Sequence, residues 1–327
     1  MSHDPSSTPF FSLIVPVYKT EPYLEQCLRS IKNQLFTDYQ CLVINNNSPG
    51  VPWAQFTHNQ DPNWQHQINL QDVPLEDQAK TIFDQICSQD PRFQYLTESK
   101  QGLSAARNRA LPLAKGQWLL NIDSDDWILP DYLQKWFEEL KDQPPQTIKI
   151  FRLNKCYNED YLWPVFYPKK ITAANCLHTC VMGSFRWAMN NQIIKKYNLT
   201  YDERLGAGTK HPQAIAPTYE DYRFAYLYVD ALERSDHKPI VTLIDNPGYQ
   251  YRNVDQEKKR FDPILIWSNY KIAKVFQKEY LAHPNWKIKI TGLILPYWHW
   301  LKAKNHPITL LLRKPISLFL RLLTDCY

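Results

Sequence analysis

Three carboxylates stand close together in the sequence, at Asp123, Asp125 and Asp126, directly after an apolar run that ends at Ile122. Carboxylates this close repel one another unless a cation joins them, and oxygen ligands of this kind suit Mg²⁺ or Mn²⁺. A cation held there can bridge a diphosphate and offset the charge that it gains as it leaves. The alternative is a solvated acidic turn ahead of a helix at Pro130.

A second candidate is the segment Gly102-Leu-Ser-Ala-Ala-Arg-Asn108, at a predicted strand-to-helix junction. Gly102 allows a tight backbone turn, and the N-terminus of the following helix favours an anion. Arg107 can add a fixed, forked positive charge for a phosphate. The alternative is a surface arginine on an ordinary helix. A third candidate, Glu220-Asp221, opens a predicted helix, where a carboxylate also serves as a helix-terminus charge.

Alternating strands and helices must position these groups. Short apolar runs predict strands at 11–17, 41–44, 93–97 and 117–122, with helices after Thr20, near 75–88 and near 103–114. This alternation predicts an α/β fold, with a mostly parallel sheet and helices on both faces. Ligands of such sheets bind beyond the carboxyl ends of the strands, so the loops after Val17, Ile44, Thr97 and Ile122 are expected to share one cleft.

The remaining pattern is looser. Leu24, Leu28, Ile31 and Leu35 are predicted to share one face of the first helix. Residues 49–74 indicate a surface insertion. Strands are predicted near 147–153, 160–167 and 240–244, a helix at 218–232, and a helical tail from Asp262 onward.

Composition limits the cell compartment and the partners. Seven scattered cysteines favour a reducing compartment, and Cys176, His178 and Cys180 lack a second ligand pair for zinc. No signal-like or membrane-spanning apolar run is present, which predicts a cytoplasmic protein. Residues 257–327 carry a net charge of +9 and the rest −4, so the tail suits an anionic surface. No motif supports a nucleic acid partner.

Four segments carry a resemblance to a known family: Pro16-Val-Tyr18, Asn45-Asn-Asn-Ser48, Gly102 to Asn108, and Asp123-Ser-Asp-Asp126. In this order they resemble the family-2 glycosyltransferases over roughly residues 10–255. The resemblance implies a GT-A fold, a nucleotide-sugar donor and usually a divalent cation, Mn²⁺ or Mg²⁺. It places a donor-binding half at 10–145 and an acceptor half at 146–260. Composition predicts a flexible N-terminus at 1–9 and a helical basic tail at 261–327, which is a candidate for interfacial membrane association.

The resemblance also implies donor-side roles. Asp125 matches the metal-binding aspartate of the Asp-x-Asp motif, and Asp123 the aspartate near the ribose, diphosphate and metal. The other donor-side residues are Pro16, Val17, Tyr18, Asn46, Ser48, Gly102, Arg107 and Ser124. Asn46 departs from the family, which has an aspartate there that contacts the base. An amide still donates and accepts hydrogen bonds, so UDP is the first choice.

On the acceptor side, Asp221 matches the family's general base and would take the proton of the acceptor hydroxyl, with inversion at the anomeric carbon. Glu220 and Trp187 are expected to orient the acceptor. The loop Gly206 to Pro212 is expected to be either a lid over the donor or a mobile surface loop. His211 and His237 are further candidates for the metal, as a late histidine binds it in some relatives.

The acceptor is expected to be a hydroxyl of a glycan or lipid-linked saccharide, in cell-surface polysaccharide or lipopolysaccharide synthesis. The tail segments 293–300 and 308–315 mix apolar, aromatic and cationic residues. They predict either an interfacial membrane contact, with the protein peripheral at the inner membrane face, or a helical pair packed on the body. Two other functions stay open: a degenerate sugar-nucleotide-binding subunit, and a sugar nucleotidyltransferase, although the loop after Val17 lacks its Gly-rich pattern.

Overall fold

The computed structural model describes residues 8–47, 64–65, 67–152, 171–177, 182–235, 238–252, 263–303, 315–316 and 319. The predicted strand at 160–167, most of the predicted insertion, His178, Cys180 and His237 lie outside these residues. Most of the tail segment 308–315 lies outside them as well.

A five-stranded sheet forms the centre of the described structure. Its strands are β1 (Phe11–Val17), β2 (Tyr39–Asn45), β3 (Phe93–Thr97), β4 (Trp118–Asn121) and β7 (Met189–Asn190). They lie in the order β3-β2-β1-β4-β7, and only β7 runs antiparallel to its neighbour. Two smaller sheets pair β5 (Trp127–Ile128) with β9 (Tyr249–Gln250) and β6 (Thr147–Phe151) with β8 (Ile240–Ile244). The mostly parallel sheet is as predicted.

Helices cover both faces of this sheet. The helices in chain order are α1 (Glu21–Lys32), α2 (Leu75–Cys87), α3 (Leu103–Ala110), α4 (Tyr132–Leu140), α5 (Ala173–Cys176), α6 (Asn191–Lys196), α7 (Glu220–Arg234), α8 (Pro263–Ala282) and α9 (Trp286–Ala303). Because side chains alternate along β1, Leu13 and Val15 pack with α1, α2 and α4, whereas Ile14 packs with α3, α5 and α7. The strands are therefore apolar on both faces, as parallel strands covered by helices require.

One detail of the predicted first helix is wrong. Helix α1 ends at Lys32, and Leu35 lies beyond it with 69% of its surface exposed. Thr20 occupies the position before the helix, but its hydroxyl makes no capping hydrogen bond and instead contacts the Ser124 hydroxyl at 2.7 Å. The helix predicted for 103–114 also ends earlier, at Ala110, and continues as a 3₁₀ turn over Leu111–Leu113.

A glycine lets the chain approach β1 closely. A β-carbon at Gly116 would lie 2.3 Å from the backbone carbon of Phe11 and the backbone nitrogen of Ser12. We expect Gly116→Ala to lower the free energy of unfolding by about 1–3 kcal/mol, because strand backbone cannot yield as a side chain can. Urea unfolding measures the effect. Gly183→Ala is the control, since its β-carbon meets only side-chain atoms at 3.6 Å or more. Equal stability of both variants would contradict this account.

Helix α8 packs against α7, and α9 packs against α8 and α5. Asp230 accepts a 2.8 Å hydrogen bond from Nε2 of His283, and Arg223 donates one of 2.7 Å to Glu279. Arg223 also lies over the Phe276 ring, 4.3 Å from its centroid. Among the described residues, no helix combines the length and apolar character needed to cross a bilayer.

Candidate active site

The loops that follow the central strands meet at one edge of the sheet. The parallel register places Val17 beside Asn45 and Asn45 beside Thr97, and Ile14 lies beside Asn121 in β4. The carboxyl ends of β1, β2, β3 and β4 therefore point the same way. The acidic loop 123–126 follows β4, and Gly102 precedes α3, so both belong to this edge.

A buried arginine joins the acidic loop to α7. The Arg107 guanidinium donates one hydrogen bond to Asp221 Oδ1 at 2.9 Å and another to Asp123 Oδ1 at 3.3 Å. Only 1% of the arginine side chain is exposed, against 27% for Asp123 and 23% for Asp221. The two carboxylates, which lie far apart in sequence, are thus held beside one another, and it is they that reach the solvent.

The expected role of Arg107 as a phosphate fork does not fit this burial. Its guanidinium is committed to the two carboxylates, lies 4.0 Å from Glu220 and packs over the Tyr201 ring at 5.3 Å. We therefore assign Arg107 to positioning the carboxylates. Tyr201 was not identified from the sequence, since it follows no motif.

The carboxylates around Arg107 make the site strongly acidic. Burial raises the pKa of Asp123, and repulsion from Asp125 and Asp221 adds to the increase against the lowering effect of Arg107. Burial also raises the pKa of Glu220, and the charge of Asp221 adds to it. Burial is the larger cause of both pKa shifts and carboxylate repulsion the smaller, so a bound cation would relieve part of the cost of keeping these groups ionised.

Ser124 fixes the acidic loop to the end of β1. Its hydroxyl donates a 2.7 Å hydrogen bond to the Pro16 carbonyl and contacts the Thr20 hydroxyl. Pro16, Val17 and Ser124 are buried, so their side chains pack beneath the donor-side loops and are not exposed on them. Tyr18 is half-buried and begins the loop itself.

Asp126 has a structural role that separates it from its two neighbours. Its carboxylate is buried and accepts 2.7 Å hydrogen bonds from the Tyr249 hydroxyl and the Arg252 backbone N–H. The Tyr249 oxygen also accepts the Asp123 N–H at 3.1 Å. Asp126 therefore points inward while Asp123 reaches the cleft. Nothing in the sequence signals Tyr249, because it comes from β9, far along the chain.

We expect Tyr249→Phe to lower the free energy of unfolding by about 1–3 kcal/mol, since it leaves a buried carboxylate oxygen and the Asp123 N–H without their partner. Urea unfolding gives the change. Tyr132→Phe is the matched control, because among the described residues the buried Tyr132 hydroxyl makes no hydrogen bond to a carboxylate or to the backbone. A loss in Tyr132→Phe as large as that in Tyr249→Phe would refute the role given to the hydroxyl.

Asn46 holds two loops together, and its predicted contact with a base is not supported. Its amide nitrogen donates 2.8 Å hydrogen bonds to the carbonyls of Glu98 and Lys100, and its amide oxygen accepts the Gly102 N–H at 2.8 Å. The residue is 1% exposed. Both N–H groups are thus already used, and the amide fixes Gly102 at the start of α3. Ser48 lies outside the described residues.

The loop 202–217 packs directly on the donor-side loops. The Ala207 carbonyl accepts the Leu103 N–H at 2.9 Å, and the Ser104 hydroxyl donates to the Leu205 carbonyl at 2.7 Å. Gly102 adopts φ +136, which only glycine tolerates well, and a β-carbon there would lie 3.0 Å from Thr209. The loop is therefore joined to α3 by backbone contacts in this structure.

Two acceptor-side candidates lie in different surroundings. Glu220 is buried at the start of α7 beside Arg107 and Gly206. Trp187 is 1% exposed and packs edge-on against Tyr228 at 4.9 Å, so its predicted contact with an acceptor is wrong. The indole belongs to the hydrophobic core, in the same buried cluster as Ile150 and Tyr228. His211 accepts the Gln213 N–H through Nδ1, which leaves Nε2 as its possible metal-binding atom.

The residues present fit a divalent cation that arrives with a diphosphate. Among the described residues, no group of three or more His, Cys, Asp or Glu side chains is arranged as a complete metal site. Mg²⁺ characteristically uses one or two carboxylates and completes its shell with substrate phosphates and water. Asp123 and Asp125 are the candidate pair: burial raises the pKa of Asp123, and Asp125 lies close enough for its charge to add to the increase.

Comparison with known proteins identifies related sequences. A family model described as "Glycosyl transferase family 2" matches residues 12–65 and 70–197. The putative glycosyltransferase EpsH of Bacillus subtilis is 30% identical over 141 residues, which cover 43% of this chain and 33% of EpsH. The chondroitin synthase of Pasteurella multocida is 24% identical over 203 residues, 59% of this chain and 18% of the synthase. The matches thus span a third or less of these relatives.

A solved structure shares the fold. S. aureus TarS residues 1–349, in complex with UDP-GlcNAc, superposes with a TM-score of 0.56 at 12% identity, over 96% of this chain and 81% of TarS. The GT-A class of α/β fold expected from the sequence is confirmed by this likeness and by the sheet order.

Proposed function

The chain belongs to glycosyl transferase family 2, and from that premise we propose that it transfers a sugar from a nucleotide diphosphate donor to an acceptor hydroxyl, with inversion. The observation that carries the proposal is the Arg107 bridge. It holds Asp221 of α7 beside Asp123 of the acidic loop, within hydrogen-bond distance of one guanidinium. A candidate base and a candidate donor-binding carboxylate thus lie side by side on one arginine.

In the proposed reaction the acceptor oxygen attacks the anomeric carbon while the bond from that carbon to the diphosphate oxygen breaks. Asp221 accepts the hydroxyl proton, and its partly exposed carboxylate is oriented for this by Arg107. Asp123 and Asp125 would hold a Mn²⁺ or Mg²⁺ ion, which offsets the charge on the departing diphosphate when bound. Glu220 is buried beside Arg107, and burial raises its pKa. We assign it to positioning its neighbour Asp221.

The donor is proposed to be a UDP-sugar. TarS, which shares the fold, has been solved with UDP-GlcNAc. Since Asn46 is committed to the loops, we assign the base pocket to the half-buried Tyr18 and to the backbone around it. The acceptor is proposed to be a hydroxyl of a glycan or a lipid-linked saccharide, as in cell-surface polysaccharide synthesis.

A panel of nucleotide sugars tests the function. With Mn²⁺ present, a UDP-sugar is expected to raise the melting temperature and to be slowly hydrolysed or transferred, and EDTA is expected to abolish both effects. Stabilisation by a UDP-sugar without any turnover, across a set of saccharide acceptors, would favour a sugar-nucleotide-binding subunit instead. Stabilisation by nucleoside triphosphates with sugar phosphates, and release of pyrophosphate, would indicate a nucleotidyltransferase.

A further inference from the structure

Helix α9 carries an apolar stripe that faces solvent. Trp286, Leu293 and Tyr297 are 58%, 50% and 59% exposed. At 100° per residue these three positions fall within about 40° of one another around the helix. Large apolar side chains exposed along one face of a helix, rather than scattered singly, indicate an interaction surface.

Lysines border this stripe. Lys271, Lys274 and Lys278 are exposed on one face of α8, and Lys289 is exposed on α9. The Lys274 amine lies 5.7 Å from the centre of the Tyr297 ring, so the two helical faces adjoin. Beside this pair lies a cavity of about 180 Å³, lined by Tyr270, Lys274, Pro296 and Tyr297. Within 263–303 the sequence has six lysines and one acidic residue, Glu279, which is paired with Arg223.

The surface has a defined relation to the candidate active site. Helix α8 runs in the same direction as α7, because Phe276 and Glu279 contact Arg223 while His283 contacts Asp230. Lys274 and its partner Tyr297 therefore lie toward the N-terminal end of α7, where Asp221 stands. A partner bound at this surface would lie on the same end of α7 as the proposed base.

We propose that this α8–α9 surface, formed by Trp286, Leu293, Tyr297 and Lys271, Lys274, Lys278 and Lys289, docks on an anionic lipid bilayer. An interfacial helix places aromatic and aliphatic side chains at the level of the headgroups while lysines contact lipid phosphates. Charge complementarity favours an anionic bilayer, because the surface combines exposed apolar side chains with lysines, whose positive charge attracts anionic headgroups. The contact is peripheral, and it holds independently of which sugar or acceptor the protein uses.

Vesicle co-sedimentation with the full chain tests the proposal. Binding to phosphatidylcholine vesicles containing phosphatidylglycerol is expected to exceed binding to pure phosphatidylcholine and to weaken with salt. Replacing Lys271, Lys274 and Lys278 together by Gln is expected to weaken binding on the order of a hundredfold, about fivefold for each lysine. Replacing Trp286, Leu293 and Tyr297 together by Ser is expected to weaken it on the order of tenfold or more.

The controls change exposed residues outside the surface. Leu35→Ser and Lys135→Gln remove an exposed apolar side chain and an exposed cation from other elements, and both should bind vesicles as the unaltered protein does. Equal binding to neutral and anionic vesicles, or unchanged binding by the surface variants, would overturn the proposal. The proposal would also be overturned if this surface mediates dimers instead. In that case the unaltered protein is a dimer, the Ser variant is a monomer, and neither form binds vesicles. Circular dichroism confirms that each variant is folded.

Discussion

Asp221→Asn is expected to reduce sugar transfer by about 10²–10⁴-fold, the contribution of a positioned general base. The amide has nearly the size of the carboxylate but cannot take up the acceptor proton. Donor binding should persist, because the acidic loop and its contacts with Ser124, Tyr249 and Arg252 are untouched. Initial rates with a UDP-sugar and Mn²⁺, together with calorimetric binding of UDP, measure the two effects separately.

The matched control for this variant is Asp230→Asn on the same helix. Asp230 is buried and pairs with His283 and Arg234, so its replacement should cost stability but leave the turnover number nearly unchanged. Full transfer activity in Asp221→Asn would contradict the assignment of the base. Loss of UDP binding in the same variant would show instead that the Arg107 bridge collapses without its carboxylate.

Asp125→Asn is expected to weaken Mn²⁺-dependent UDP binding on the order of 10²-fold or more. Residues that merely support a metal ligand already contribute 10–100-fold to affinity, so loss of a direct ligand should cost at least as much. Isothermal calorimetry with UDP, in Mn²⁺ and then in EDTA, gives the change. Asp131→Asn is the control, since that carboxylate is exposed and pairs with Lys135 beyond the acidic loop.

The stability of Asp125→Asn distinguishes a metal ligand from an aspartate that supports the fold. Burial and the charge of Asp125 raise the pKa of Asp126, and Asp125 also raises the pKa of Asp123. The charge of Asp125 therefore opposes ionisation of both neighbours, and neutralising Asp125 removes that repulsion. Asp125→Asn should consequently unfold at equal or higher urea concentration while losing UDP binding. If it lost stability and kept metal-dependent binding, the proposed role of Asp125 would be wrong.

The sequence alone determined the central scaffold. The strands at 11–17, 41–44, 93–97 and 117–122 and the helix near 75–88 are found within a few residues, because apolar runs and their turns are local properties of the chain. The convergence of the loops also followed from strand alternation, since parallel strands bring their carboxyl ends to one edge. The motifs that carry the family resemblance lie in these loops, and the family model matches the same region.

Only the tertiary structure decided what each polar side chain does. Arg107, Asn46 and Trp187 have residue types that suit ligand contacts, yet burial commits them to carboxylates, backbone groups and the core. Tyr249 supports the acidic loop from β9, and no local signal could reveal it. The physical reason is that local sequence sets backbone conformation, whereas a side chain's partners are set by neighbours from distant segments, which exist only once the chain has folded.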